Sequence, residues 1–282
     1  MTKSEELVQS ASDWWSTGII DIHPGKIAIR GYPIQELIGK VRFPEMIWLM
    51  LRGDLPTRAQ SDLLEAALVP GVDHGPHAPS IAIARMSVTC GLQVNGAMAS
   101  AINVLDDIHG GAGQQCMELY REIDKQAGEA GELVEAAGIV IRRHQDAGEK
   151  IVPGFGHRFH PVDPRTAPLF KLVAKAVASG VVSGRYAAIG QAVETALGAI
   201  KNRHIPMNID GITAVIFSEL GFEPELGRGI FILSRSVGIL AHAWEQKQQG
   251  GRIKGPMPKE IPYTYTGHAQ RAVPERDGAA DS

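Results

Sequence analysis

Residues 225–247, ELGRGIFILSRSVGILAHAWEQK, constrain the fold more than any other stretch of this chain. At helical spacing, Ile230, Leu233, Val237, Leu240 and Trp244 form one stripe, read as a core face. Phe231, Arg235, Ile239 and His242 run along another. A helix that is apolar nearly all round needs protein on both sides. The spacing therefore predicts a layered helical fold with this helix inside it. It also carries a guanidinium inward at Arg235. A buried guanidinium is costly unless paired. Two readings stand for it: a salt bridge to an internal carboxylate, or a planar fork that receives the carboxylate of a ligand.

The helical period recurs over most of the chain. It marks residues 44–53, 57–69, 79–92, 94–108, 113–128, 130–148, 166–179, 185–203, 210–220 and 224–248. Between 79 and 108 the small residues Ala82, Ala84, Gly91, Gly96, Ala97, Ala99 and Ala101 allow two helices to approach closely. The one β pattern is GIIDIHPGKIAIRGYPI, residues 18–34, a hairpin about a Pro-Gly turn. Pro33 then opens a helix carrying Ile34, Leu37 and Ile38. The fold class expected is all-α with a short N-terminal β-hairpin. The 17 residues after Tyr265 are polar and aperiodic, as in a frayed tail.

Composition narrows the function. The net charge of −3 over 282 residues leaves no basic footprint for nucleic acid and no polybasic membrane patch. An anionic ligand must then be held by a few placed arginines. Cys90 and Cys116 fit neither a disulfide framework nor a zinc spacing, and read as small buried hydrophobes. No metal site is expected. MTKSEELVQSASDWW lacks a signal-type apolar core, and no run approaches a membrane span. The expected location is cytoplasmic.

Four segments combine unusual residues with helix punctuation. VDHGPHAPS, residues 72–80, puts His74 and His77 before a helix. DDIHGGAGQQ, residues 106–115, puts His109 at a helix end and before Gly-Gly, near the amides of the following helix. GFGHRFHPVDPR, residues 154–165, has Gly154 and Gly156 for close backbone approach to a ligand, then His157, and Arg165 at a helix start. PMNIDGITAVIFSELG, residues 206–221, has Asp210 at the start of an apolar helix. Taken singly, each has a plain structural explanation: a capped helix end, an N-cap, a turn.

Together the segments resemble the citrate synthase superfamily. GFGHRFHPVDPR is similar to its Gly-aromatic-Gly-His signature with Asp-Pro-Arg. IHGGAGQQCMEL, MNIDGITAVIFSELGF and SRSVGILAHAWEQ resemble its His-Gly-Gly-Ala segment, aspartate helix and late arginine helix. IAIRGYPIQELI, RGDLPTRAQ and DHGPHAP match the earlier part, so the likeness runs from about residue 19 to 267. NIDGITA and the short stretch 58–73 resemble the citryl-CoA lyase branch, known alone and as the C-terminal part of ATP-citrate lyase.

The resemblance implies a large helical domain from residues 1–112 and 219–265, a small coenzyme A-binding domain from 113–218, and a tail at 266–282. It implies a catalytic trio of His109, His157 and Asp210. His74, Arg165 and Arg235 would hold the carboxylates of citrate or oxaloacetate. Val152, Pro153, Gly154, Phe155 and Gly156 would hold the nucleotide of coenzyme A. The activity implied is cleavage of citryl-CoA to acetyl-CoA and oxaloacetate, with the coenzyme A thioester as substrate and no tightly bound cofactor. The alternatives are citrate synthesis and cleavage of a related 3-hydroxy-acyl-CoA. Partners would be these small molecules and further copies of the chain, as a homodimer or larger, with no nucleic acid or membrane. One departure stands out. Citrate synthases carry Arg-Pro shortly before Tyr-Thr-Gly, reaching the neighbouring subunit's site. KGPMPKEIPYTYTG has no arginine, and Arg252, Lys254 and Lys259 are the nearby cations.

Overall fold

A computed structural model describes residues 2–129, 131–157, 161–253, 257–258 and 260–273. Lys254, Lys259 and tail residues 274–282 lie outside them. The chain opens with α1 (Lys3–Trp14), whose Thr2 and Glu5 form a reciprocal capping box. This helix buries none of its residues. Then come β1 (Ile20–His23), β2 (Lys26–Ile29) and β3 (Tyr32–Pro33), an antiparallel meander in which Ile20 pairs Ile29 and Ala28 pairs Pro33. The hairpin was legible. The two-residue third strand and α1 were not expected, although Thr-x-x-Glu is a legible helix start.

The helices follow as α2 (Ile34–Leu37), α3 (Phe43–Arg52), α4 (Arg58–Leu68), α5 (Pro79–Thr89), α6 (Val94–Ile102) and α7 (Ala112–Ala127). The rest are α8 (Leu133–Asp146), α9 (Thr166–Ala178), α10 (Arg185–Lys201), α11 (Ile209–Glu219) and α12 (Pro224–Gln249). Local chemistry sets several ends. Thr57 and Gln60 box the start of α4, and Gly53, left-handed at φ 94°, stops α3. The helix expected over 94–108 ends at Ile102. Beyond it the chain turns through residues 103–111, where Asp106 bridges Gly110. His109 therefore sits in a loop, not on a helix end.

Two clusters make the core. In one, α7, α8, α10 and α11 bury Tyr120, Ile141, Ile189 and Ile216, joined by Trp48 and Leu64 from α3 and α4. In the other, α5, α6 and α12 bury Ile81, Ala84, Ala97, Ala101, Ile239 and Ala243. Of the small residues of 79–108, Ala84, Ala97 and Ala101 serve close packing within the chain, while Gly91 and Ala99 are exposed. Helix α12 belongs to both clusters, since Ile230 joins the first.

The orientation of α12 differs from expectation. Ile230, Arg235, Ile239 and Ala243 face inward, whereas Leu233, Val237, Leu240 and Trp244 are 44–58% exposed. Gly238 explains the choice. A Cβ there would lie 2.1 Å from the carbonyl oxygen of Val72, so backbone packs onto the face bearing the smallest side chain. Cys90 also departs from expectation: it caps α5 and is exposed, while Cys116 is buried. Among the described residues no helix is long and apolar enough to cross a membrane.

Candidate active site

The start of α11 places Asp210. Asn208 is the N-cap, and its Oδ1 accepts from the amides of Asp210 at 2.9 Å and Gly211 at 3.3 Å. Its Nδ2 donates to the Gly156 carbonyl at 2.6 Å. Alongside, Asn208 N donates to Gly154 O at 2.9 Å and Gly156 N to Pro206 O at 2.8 Å. Phe155 bridges Met207 between these bonds. This short ladder zips residues 154–156 to 206–208, so His157 and Asp210 leave one backbone junction. Gly154 is left-handed at φ +83°, and a Cβ there would meet Cys116 Sγ at 2.5 Å and Gly211 Cα at 2.8 Å. The glycine thus lets backbone approach backbone.

Asp163 completes the junction, and sequence reasoning gave it no role. Its side chain is fully buried. Its two oxygens receive Arg165 Nε at 2.9 Å and a terminal guanidinium nitrogen at 2.8 Å, a bidentate pair. It also accepts the amide of Ile209 at 3.0 Å, in the first turn of α11. The guanidinium and these amides outweigh burial and hold the Asp163 pKa down at about 2. One carboxylate therefore fixes both Arg165 and the helix that carries Asp210.

His109 is oriented by α5. Its Nε2 accepts the Ser80 amide at 3.1 Å and lies 3.0 Å from Ser80 Oγ. An imidazole that accepts a main-chain amide is neutral, with its proton on Nδ1. Burial and the Arg235 charge lower its pKa further. The amide comes from the helix N-terminus at residue 80, not from the helix after Gly110-Gly111. The loop is tied to α12 by Arg228, which donates to Asp106 at 2.6 Å and Asp107 at 2.5 Å.

Arg235 is 5% exposed. Its Nε donates to Gly71 O at 2.9 Å, and its guanidinium lies 5.0 Å from the Phe231 ring centroid. Among the described residues it has no carboxylate within ion-pair distance. The internal salt bridge that the sequence allowed is therefore absent among the described residues, and the terminal nitrogens of Arg235 are available to a ligand. His74 stacks on His157 with centroids 5.8 Å apart. Burial, and then the charges of Arg165 and Arg235, lower the His74 pKa.

These groups converge. One cavity of about 240 Å³ is lined by His74, His109, His157, Arg165, Asp210 and Arg235, with Ile108, Phe217 and Phe231 among its apolar walls. His77 is not part of it. Asp210 carries a raised pKa because burial outweighs the pull of Arg165 and Arg235. The cavity so holds two guanidinium groups, a neutral imidazole, a second imidazole and a carboxyl biased toward its protonated form. None of residues 152–156 lines it. Pro153 instead faces an adjoining groove of about 700 Å³, which shares Ile108 and Ala112 with the cavity.

A model of the citrate synthase C-terminal domain matches residues 7–71 and 58–256. The chain belongs to the citrate synthase family. Citrate synthase of Haloferax volcanii is 31% identical over 209 residues, 73% of this chain and 52% of that protein. The chain spans about half the length of the curated citrate synthases it matches. Citryl-CoA lyase of Hydrogenobacter thermophilus has the same fold at TM-score 0.80 and 30% identity, covering 92% of this chain and 97% of that one. ATP citrate lyase of Methanosaeta concilii, at 20% identity and TM-score 0.75, shares the fold over 95% of this chain and 45% of its own.

Proposed function

We propose that this chain is a citryl-CoA lyase, cleaving citryl-CoA to acetyl-CoA and oxaloacetate. The observation that carries the reading is the single cavity joining His109, His157 and Asp210 to Arg165, Arg235 and His74. The arginines and His74 hold the carboxylates, which orients the tertiary hydroxyl. His157 takes the hydroxyl proton. The bond between the carbinol carbon and the acetyl methylene breaks, and the hydroxyl oxygen becomes the ketone of oxaloacetate. The bonding pair moves into the thioester as an enolate. His109 Nδ1–H donates to the enolate oxygen, the role of a preorganised oxyanion donor. Asp210, biased toward its protonated form, delivers a proton to the methylene carbon as general acid. Proton exchange with solvent resets His157 and Asp210.

The nucleotide end of the thioester lies outside the cavity, along the groove toward residues 152–156. Residues 113–218 supply that part of the site. The apolar stripe of α12, left exposed at Leu233, Val237, Leu240 and Trp244, is the face that packs against a second copy of the chain. The location proposed is the cytoplasm.

Citrate synthesis is the second reading, favoured by the 31% identity to Haloferax citrate synthase. Incubation with citryl-CoA, and separately with acetyl-CoA plus oxaloacetate, decides between them. A lyase releases acetyl-CoA and oxaloacetate from the first mixture and forms little free citrate from the second. Asp210→Asn is expected to lower kcat by about 10²-fold or more, the scale of a lost general acid, while coenzyme A still binds in calorimetry. Turnover near wild type in that variant overturns the mechanism.

A further inference from the structure

The groove beside the cavity has an acidic wall that the mechanism does not use. It is formed by Glu118 and Glu122 of α7, Glu149 and Asp107, with His144 among them. His144 sits in the last turn of α8. Its Nε2 lies 2.7 Å from Glu122 Oε2, and its Nδ1 lies 2.8 Å from Glu149 Oε2. A neutral imidazole carries one N–H and can donate to only one carboxylate. Two carboxylates at these distances call for an imidazolium. The second oxygen of Glu122 is held by Arg143 at 2.8 Å.

Glu149 stands where a loop begins. Gly148 turns the chain at φ +98°, and the Glu149 amide donates to His144 O at 3.0 Å. The chain then runs past Ile151 and Pro153, both facing the groove, to the junction at Gly154. The segment is tethered at its far end by the ladder to residues 206–208 and at its near end by His144. Only the near tether contains a group that titrates near neutrality.

We propose that His144 is a positioning residue: as a cation clasped between Glu122 and Glu149, it fixes residues 149–153 as one wall of the groove beside the catalytic cavity. The charged groups around the ring are Glu118 and Glu122 on α7, Arg143 beside it on α8, Glu149 with Lys150 on the loop, and Asp107 across the groove. The hydrogen bonds that the His144 ring donates to Glu122 and Glu149 raise its pKa, against a smaller opposing effect of burial. A histidine pKa raised by folding gives a contribution fully present below its unfolded value, about 6.5, and lost as pH climbs through the raised value. The clasp is closed in mild acid and opens toward alkaline pH.

The kinetic arm of the test rests on the thioester reading of the site; the exchange arm does not. Full-length wild type, His144→Gln and His144→Lys are compared by amide hydrogen exchange of residues 148–157, corrected for intrinsic rates, at about pH 6 and about pH 9. Wild type should lose protection at the higher pH. The glutamine variant should be unprotected at both, and the lysine variant protected at both. In steady-state assays KM for the thioester should rise about two- to fivefold wherever protection is lost, the size of a partly exposed ion pair, with kcat within about twofold. A pH step that persists in His144→Gln, or a glutamine variant as protected as wild type at the lower pH, overturns the clasp. Loss of kcat at unchanged KM does so as well. Should no coenzyme A thioester be turned over at all, the proposed function falls while exchange still decides the clasp.

Discussion

Asp163 shows how much of a site can rest on one side chain that does not line the cavity. It pairs with Arg165 through two oxygens and holds the first turn of α11 through the Ile209 amide. Asp163→Asn keeps the shape and removes the charge. The variant is expected to lose about 3 kcal/mol of stability, because a buried pair is broken and Arg165 is left uncompensated. Its KM should rise, since Arg165 no longer holds its angle. The sign with pH follows from a folded pKa of about 2, below the ordinary aspartate value. The stabilisation is present above about pH 4 and disappears as pH falls toward the folded value. Chemical denaturation of both proteins should show a gap that is constant near neutrality and narrows in acid; a gap independent of pH would refute this assignment. The Asp-Pro-Arg motif was visible in the sequence, but its aspartate was silent because Ile209 lies far along the chain. His109 was visible as well. What could not be read was that the amide orienting it belongs to the helix at Ser80.

At the scale of elements, the ladder between residues 154–156 and 206–208 is the junction from which His157 and Asp210 depart. Gly-Phe-Gly stands out in the sequence for its conformational freedom, and at Gly154 that freedom admits the backbone of Gly211. Gly154→Ala forces a Cβ against Cys116 and Gly211 at a left-handed position. The expected cost is about 2 to 4 kcal/mol, from overpacking together with the φ penalty. Because the clash pushes the loop away from α11, kcat should fall more than KM changes. A variant of wild-type thermal midpoint and kcat would show that the junction yields without consequence. Helix existence and order were largely legible from periodicity wherever a helix buries one face, and α1, which buries none, was not. The error over 94–108 arose where an apolar pattern continues through Val104, Leu105 and Ile108 although the helix stops at Ile102. Leu105 is buried, but from a loop.

Over the whole molecule, periodicity found α12 and misjudged its rotation. A stripe of large apolar residues reads as core in any single chain. Here the small face of the helix accepts the backbone at Val72, and the large face remains on the surface. The second-copy reading gives that face its cover. Val237→Asp places a charge in the middle of the stripe and is expected to shift the protein to monomers in sedimentation velocity, with the helical circular dichroism unchanged. Unaltered sedimentation of the variant would remove the stripe from the interface.

Helix α12 has one more consequence. Through Arg228 it holds the loop bearing His109, and two turns further on it presents Arg235. Seven residues of helix separate those anchors, about 10 Å of rod that neither stretches nor shortens. The molecule therefore keeps a set spacing between the loop that bears His109 and the buried guanidinium of Arg235, and neither can shift along the rod without the other.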